Sequence, residues 1–339
     1  MSINLLFKKI RFNIERKFFS WRVVLKKNHD FKNGKIIPLN EYGQDRQIIE
    51  CRKRVICIYD NRISSNGLAD RLRGIVSTYE VCKQMGLDFK LIFNSPFELN
   101  LFLMPNEVNW QISEEELNYN TNITDICYIN SFKGNVAEGE RQRKWFEEEF
   151  KKLYREFHVR TNAHFSYTGN FSELFHELFK FSPRLQRTIN RTKAELGDSY
   201  VSTSFRFMNM LGDFNETAGV DVKLSNQEKE TLISSCIEQI ALLHKRHPEQ
   251  RILVNSDSKT FLQRVSEIKY VYVNAGNITH VDAKDTDNGY ETHEKTFLDF
   301  FMIANAEKIY LLQTGKMWNS GYPYAASRIY NKQFKRIRF

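Results

Sequence analysis

Apolar runs alternate with amphipathic stretches along most of the chain, and their order predicts the fold. Arg54–Asp60 (RVICIYD) is a short, nearly continuous apolar run, as expected of a buried strand. In Gly67–Met85 the residues Leu68, Leu72, Ile75, Val76, Tyr79 and Cys82 share one helical face, and Gly86 closes the helix. Phe89–Phe93 (FKLIF) is the next strand, so the three form a βαβ unit with parallel pairing. Residues 126–130 (ICYIN) predict a third strand, and 138–197 reads as mostly helical. A second alternation starts at Tyr200–Arg206 (YVSTSFR), a strand. A long helix follows over Asn226–His247, then a strand at Arg251–Asn255, a helix at Ser258–Ile268 and a strand at Tyr270–Val273. A helix at Thr296–Ala306, the strand Lys308–Leu312 (KIYLL) and a helix at Ser320–Tyr330 complete the series.

Two successive β/α blocks predict an α/β protein with two doubly wound domains and a boundary near 195. The expected division is a basic amphipathic segment at 1–30, an α/β domain at 31–195, a second at 196–330 and a basic tail at 331–339. In such folds ligands bind beyond the carboxyl ends of the strands, so the strand-to-helix junctions are where chemistry is expected.

Charge sharpens that picture. The 339-residue chain carries a net +9, which invites a nucleic-acid or membrane reading. Residues 1–27 hold +7 of it and 332–339 hold +4, which leaves the middle of the chain at −2. A nucleic-acid surface is therefore not expected. Ile3, Phe7, Ile10, Ile14, Phe18, Trp21 and Leu25 form one helical stripe with most of the bases opposite. That pattern suits a helix lying on an anionic membrane surface, or one packed on its own domain. Five scattered cysteines suggest neither a disulfide framework nor a zinc site, and no secretory leader is evident, so a cytoplasmic, peripheral location is expected.

Four junctions stand out. Asn66-Gly-Leu-Ala-Asp-Arg-Leu-Arg-Gly74 opens the first long helix, where Gly67 permits a tight turn and free N–H groups face an anion or hydroxyl. Ser204-Phe-Arg206 ends the first strand of the second domain, and the planar fork of Arg206 suits a diphosphate or an internal salt bridge, with Asp213 one partner within reach in sequence. Asn255-Ser-Asp257-Ser258 follows the strand RILVN; it can contact a nucleoside, or supply a helix N-cap through Ser256 or Asp257. Ser320 and Gly321 open the last helix and can cradle a phosphate or cap the helix. Asp285-Thr-Asp287 is a D-x-D that could hold a divalent metal, flanked by His280 and His293 as further contacts.

Taken in order, these segments resemble the fucosyltransferases related to the α-1,6- and protein-O-fucosyl enzymes, over roughly residues 52–330. GLADRLRGI is similar to their G-x-G-N-R-L-R motif, and Ser204-Phe-Arg206 to H-x-R-x-G-D. Asn255-Ser-Asp-Ser258 is similar to T-D-S, and Thr296-Phe-Leu-Asp-Phe-Phe with KIYLL and Ser320-Gly-Tyr to their last motifs. The departures are Ser204 for the family His, Asp70 for Asn, Asn319 for a serine, and a longer spacing from Arg206 to Gly212-Asp213.

The resemblance implies a GT-B fold, two Rossmann-like domains facing across a cleft. It implies inverting, metal-independent transfer from GDP-fucose to a glycan acceptor of a surface polysaccharide, with no cofactor. It makes Arg206 the group on the β-phosphate. Ser204, Asp257, Ser258, Ser320 and Gly321 become donor contacts, as do Gly67 and Arg71. Asp70 is a candidate base for the acceptor hydroxyl. Two other readings stay open: a metal-dependent transferase using Asp285 and Asp287, and a non-catalytic basic protein that binds lipid or nucleic acid.

Overall fold

The computed structural model describes residues 41–60, 67–129, 136–162, 164, 170–213, 222, 224–279, 281 and 289–339. The stripe at 1–27, Asn66, His280, Asp285 and Asp287 lie outside the described residues.

Chain contacts divide the protein into two compact units near residue 180, not 195. The helix α4 (Pro183–Leu196), which the sequence reading assigned to the first domain, belongs to the second unit. Its hydrogen bonds explain this: Thr188 Oγ1 donates to Glu294 at 2.9 Å and Lys193 Nζ to Asn305 at 2.6 Å.

The first unit is built on β1 (Arg54–Tyr59), β2 (Asp88–Phe93), β3 (Thr124–Ile129) and β4 (Glu156–Thr161). The order is β2-β1-β4-β3, all parallel. Every residue of β1 is buried, as a central parallel strand covered on both faces requires. Helix α1 (Leu68–Met85) links β1 to β2 and ends at Gly86, whose φ of 65° only glycine adopts freely. Gly74 sets the depth of its packing, because a Cβ there would lie 2.1 Å from the Thr161 carbonyl oxygen and 2.6 Å from the Tyr59 hydroxyl. Helices α2 (Val136–Phe150) and α3 (Phe171–Leu178) complete the described elements of this unit.

Strand β4 lies inside a stretch expected to be helical. Its sequence, EFHVRT, alternates polar and apolar residues, yet all six are buried. The polar ones are absorbed in pairs: Glu156 with Arg54 and His158, and Arg160 with Asp60.

The second unit holds β5 (Tyr200–Phe205), β6 (Arg251–Ser256), β7 (Val271–Tyr272), β8 (Lys308–Gln313) and β9 (Gln333–Arg338). The order is β9-β8-β5-β6-β7, again parallel. The expected basic tail is thus a strand: β9 pairs with β8 from Gln333 to Arg338. Its charges suit an edge, where they discourage pairing with another chain.

One face of this sheet (Val201, Phe205, Ile252, Val254, Tyr310, Leu312) packs on Ile233, Cys236 and Ile240 of α5 (Asn226–Arg246) and Phe261 and Val265 of α6 (Lys259–Ser266). The opposite side carries α7 (Tyr290–Asn305), which packs on α4 and on α8 (Tyr322–Ile329). Ser225 and Glu228 form a reciprocal capping box at the start of α5. No helix among the described residues is long and apolar enough to cross a membrane.

Candidate active site

The carboxyl edge of the second sheet gathers most of the residues singled out in the sequence. Arg206 follows β5, Asp257 follows β6, and Trp318 to Gly321 follow β8. Parallel register places Ser204 beside Asn255 and Leu311 beside Ser204, so the three strand ends are level.

Arg206 is held in place by Asp257. Its Nη1 lies 3.1 Å from Asp257 Oδ2, with side-chain exposures of 17% and 2%. Asp257 Oδ1 accepts the Phe207 N–H at 2.8 Å and Oδ2 accepts the Met208 N–H at 2.7 Å. One carboxylate therefore fixes both the guanidinium and the backbone that carries it. It also stabilises Met208 at a φ of 57°, an uncommon conformation for a side-chain-bearing residue. Burial pushes the Asp257 carboxyl up; the charge of Arg206 and the two amides oppose that shift without cancelling it. Asp257 thus acts on Arg206, and its own oxygens are occupied.

Ser258 is similarly occupied. It caps α6, accepting the Phe261 N–H at 3.1 Å, so the cap is Ser258 and neither Ser256 nor Asp257. Its hydroxyl donates to Asp213 Oδ2 at 2.8 Å, an oxygen that also accepts the Thr260 N–H at 2.8 Å. Asp213 therefore braces α6 instead of pairing with Arg206.

Two neighbours differ. Ser204 and Asn255 are 7% and 5% exposed, yet the Ser204 hydroxyl and both polar atoms of the Asn255 amide have no hydrogen-bond partner among the described residues. Buried groups of this kind normally find one. Beside them, after β7, Asn274 Nδ2 donates to Asp299 at 2.8 Å and Lys295 Nζ donates to the Asn274 carbonyl at 2.8 Å. The Asn274 side-chain oxygen is again unpartnered among the described residues.

On the β8 side, Ser320 N–H bonds the Trp318 carbonyl at 3.0 Å, and Ser320 Oγ accepts the Tyr322 N–H at 3.3 Å. Gly321 N–H has no acceptor among the described residues. The phosphate cradle expected of this helix start thus reduces to Gly321 N–H and the remaining capacity of the Ser320 hydroxyl.

The first-motif residues lie in the other unit. Gly67 is the N-cap of α1 and makes no side-chain cap bond. Asp70 is ion-paired with Arg73. Arg71 is 5% exposed; its Nη1 donates to the Ser95 carbonyl, and its guanidinium lies 5.1 Å from the Phe93 ring centroid. Arg71 thus holds the segment after β2, so its engaged groups point to packing. His293 is fully buried within α7, which makes it a core residue.

One cluster among the described residues brings together metal-ligand types: Asp125, Cys127 and Glu149. Lys152 already bridges it, bonding Glu149 and lying 3.4 Å from Asp125, so an ammonium stands where a cation would.

The sequence matches no protein-family model and no curated protein. Solved structures do match it. The NodZ α-1,6-fucosyltransferase soaked with GDP-fucose is 12% identical, covering 82% of this chain and 93% of its own, with a TM-score of 0.51. A selenomethionine structure of NodZ from Bradyrhizobium aligns over 86% of this chain and 95% of its own, at 12% identity and a TM-score of 0.50. An Arabidopsis thaliana FUT1 variant in complex with GDP is 11% identical over 99% of this chain and 79% of its own, with a TM-score of 0.52. At these identities the likeness is one of fold, and the fold of this chain is the GT-B fold of those fucosyltransferases.

Proposed function

We propose that the chain is an inverting, metal-independent glycosyltransferase that moves fucose from GDP-fucose to a glycan acceptor. The observation that carries this reading is Arg206, fixed at a strand end by a buried carboxylate, beside buried polar groups of Ser204 and Asn255 that lack partners among the described residues. The fold likeness to enzymes solved with GDP-fucose and GDP supports the choice of donor.

Each group then has a role. Cleavage of the sugar–phosphate bond leaves growing negative charge on the diphosphate. Arg206 stabilises it through a pre-positioned guanidinium, and Asp257 keeps that guanidinium from having to reorganise. Gly321 N–H and the Ser320 hydroxyl add neutral donors at a helix start. Ser204 and Asn255 hydrogen-bond the ribose or base, completing the bonds that the protein alone leaves open. Asp70 is a poor free base while paired with Arg73; if it takes the acceptor proton, substrate must first displace that arginine. We place the reaction on the cytoplasmic face of a membrane, in surface polysaccharide synthesis.

A donor screen tests this without an acceptor. Slow hydrolysis of GDP-fucose, GDP-mannose and UDP-sugars is followed in EDTA. GDP-fucose should be the one consumed, and Arg206→Ala should lower its consumption about 10³-fold. Near wild-type hydrolysis by Arg206→Ala, or activity only with added metal, would sink the proposal.

A further inference from the structure

Trp318 is 48% exposed at the edge of the site. The contrast with other tryptophans is sharp. Trp110 is 3% exposed and donates its indole N–H to the Leu178 carbonyl at 2.8 Å, and Trp145 packs edge-on against Phe146. The Trp318 indole has neither a hydrogen bond nor a ring neighbour among the described residues.

Its backbone, however, is tightly fixed. Trp318 N–H bonds the Arg206 carbonyl at 2.9 Å, and its own carbonyl accepts the Ser320 N–H at 3.0 Å. The preceding Met317 is buried in the core, and its carbonyl accepts from Gln313 Nε2 at 2.6 Å. A large apolar ring is thus presented to solvent on a rigid base, one hydrogen bond from the arginine. An unpartnered aromatic on a pinned loop is a binding surface more than a packing residue.

Sheet order says which part of a nucleotide sugar it meets. β5 carries Arg206 and has β6 on one side and β8 on the other. The unpartnered polar groups of Ser204, Asn255 and Asn274 lie at the ends of β5 and β6 and after β7; they suit a ribose and base, which are rich in donors and acceptors. The aromatic lies on the β8 side. A diphosphate held at Arg206 joins a nucleoside to a hexose, so a nucleoside toward β6 sends the hexose toward β8. One face of a hexopyranose is lined by C–H groups, and a 6-deoxy sugar adds a methyl.

We propose that the Trp318 indole is the platform for the apolar face of the donor's hexose, which makes it a specificity-determining residue. This rests on the glycosyltransferase reading above. The test is calorimetric titration of the full-length protein and its Trp318→Ala and Trp318→Phe variants with GDP and with GDP-fucose. Trp318→Ala should weaken GDP-fucose about fivefold and leave GDP within about twofold, and Trp318→Phe should recover most of the loss. Because the ring is exposed and unpartnered, both variants should melt as the wild type does. An equal loss for both ligands, or no loss for either, overturns the platform while leaving the transferase reading in place. Failure of the wild-type protein to bind GDP overturns the transferase reading itself and the platform with it.

Discussion

Two buried polar clusters of this protein differ in how far their hydrogen bonds are satisfied. In the first unit, Glu156 and His158 are both fully buried. Glu156 Oε1 accepts the Asn118 N–H at 2.8 Å and faces His158 Nε2 at 2.6 Å; Oε2 accepts from Arg54 Nε at 2.7 Å and from Asn118 Nδ2 at 3.0 Å. The other nitrogen of His158 faces the Tyr42 hydroxyl at 2.5 Å. In the second unit, Ser204 and Asn255 are nearly as deep, and their side chains bond to nothing among the described residues. The first cluster lies at the amino end of its strand, the second at the carboxyl end. A saturated network ties the fold together, here β1, β4 and the segment around residue 42. An unsaturated one at the carboxyl edge of a parallel sheet lies where ligands of such folds bind, and we propose that a ligand completes it. On the proposed reading, degree of satisfaction at the carboxyl edge, more than residue type, distinguishes the two clusters.

The contrast can be broken by substitution. The largest effect is expected at Arg206: Arg206→Ala should lower GDP-fucose turnover about 10³-fold, with a fall in melting temperature too small to account for it, because Asp257 loses its charged partner but keeps its two backbone amides. Steady-state hydrolysis with a parallel thermal melt reads both. Next comes Glu156→Ala, which leaves the buried Arg54 and His158 without their carboxylate and should cost about 3 kcal/mol of stability in urea unfolding. GDP affinity of the folded fraction should not change. A loss of affinity without a loss of stability would reverse the roles of the two clusters.

Acid should act in the same direction. Burial opposes the Glu156 charge, but the His158 and Asn118 hydrogen bonds outweigh it and hold the carboxyl below its ordinary 4.5. Its stabilisation is complete above 4.5 and is lost as pH falls through the folded value. Burial holds the His158 ring below its ordinary 6.5, so the unfolded chain takes up that proton first. Stability should therefore start to fall below pH 6.5 and fall further below 4.5, read as the urea midpoint against pH. A midpoint that rises between pH 7 and 5 would contradict this. The smallest effect is at Asn255: Asn255→Ala should weaken GDP about tenfold while stability holds or improves, because an unpaired buried amide is removed. Destabilisation without loss of GDP binding would assign Asn255 to the fold.

Much of this was legible in the sequence, for a physical reason. Strands β1, β2 and β8 are apolar runs between helices, and β5 and β6 share that setting, so hydrophobic pattern reveals them. β4 hides because its polar residues are buried in pairs, and periodicity sees only their polarity. β9 reads as a charged tail because edge strands tolerate bases. The site was half visible. Arg206 and the polar segment after β6 were evident from position alone. Whether a polar residue there faces a ligand or a neighbour depends on three-dimensional pairing. Asp257 and Ser258 proved to be brace and cap, and the unpartnered amide proved to be Asn255. Trp318 lies two residues before Ser320, but its exposure leaves no mark in sequence.

The central claim is that Arg206, with Ser204 and Asn255, forms a guanine-nucleotide diphosphate site that needs no metal. Calorimetric titration of the wild-type protein and Arg206→Ala with GDP and UDP in excess EDTA tests it directly. The expected result is saturable GDP binding to the wild type, weaker UDP binding, and little or no binding to Arg206→Ala. GDP binding that survives the loss of Arg206, or that appears only when a divalent metal is restored, would contradict it.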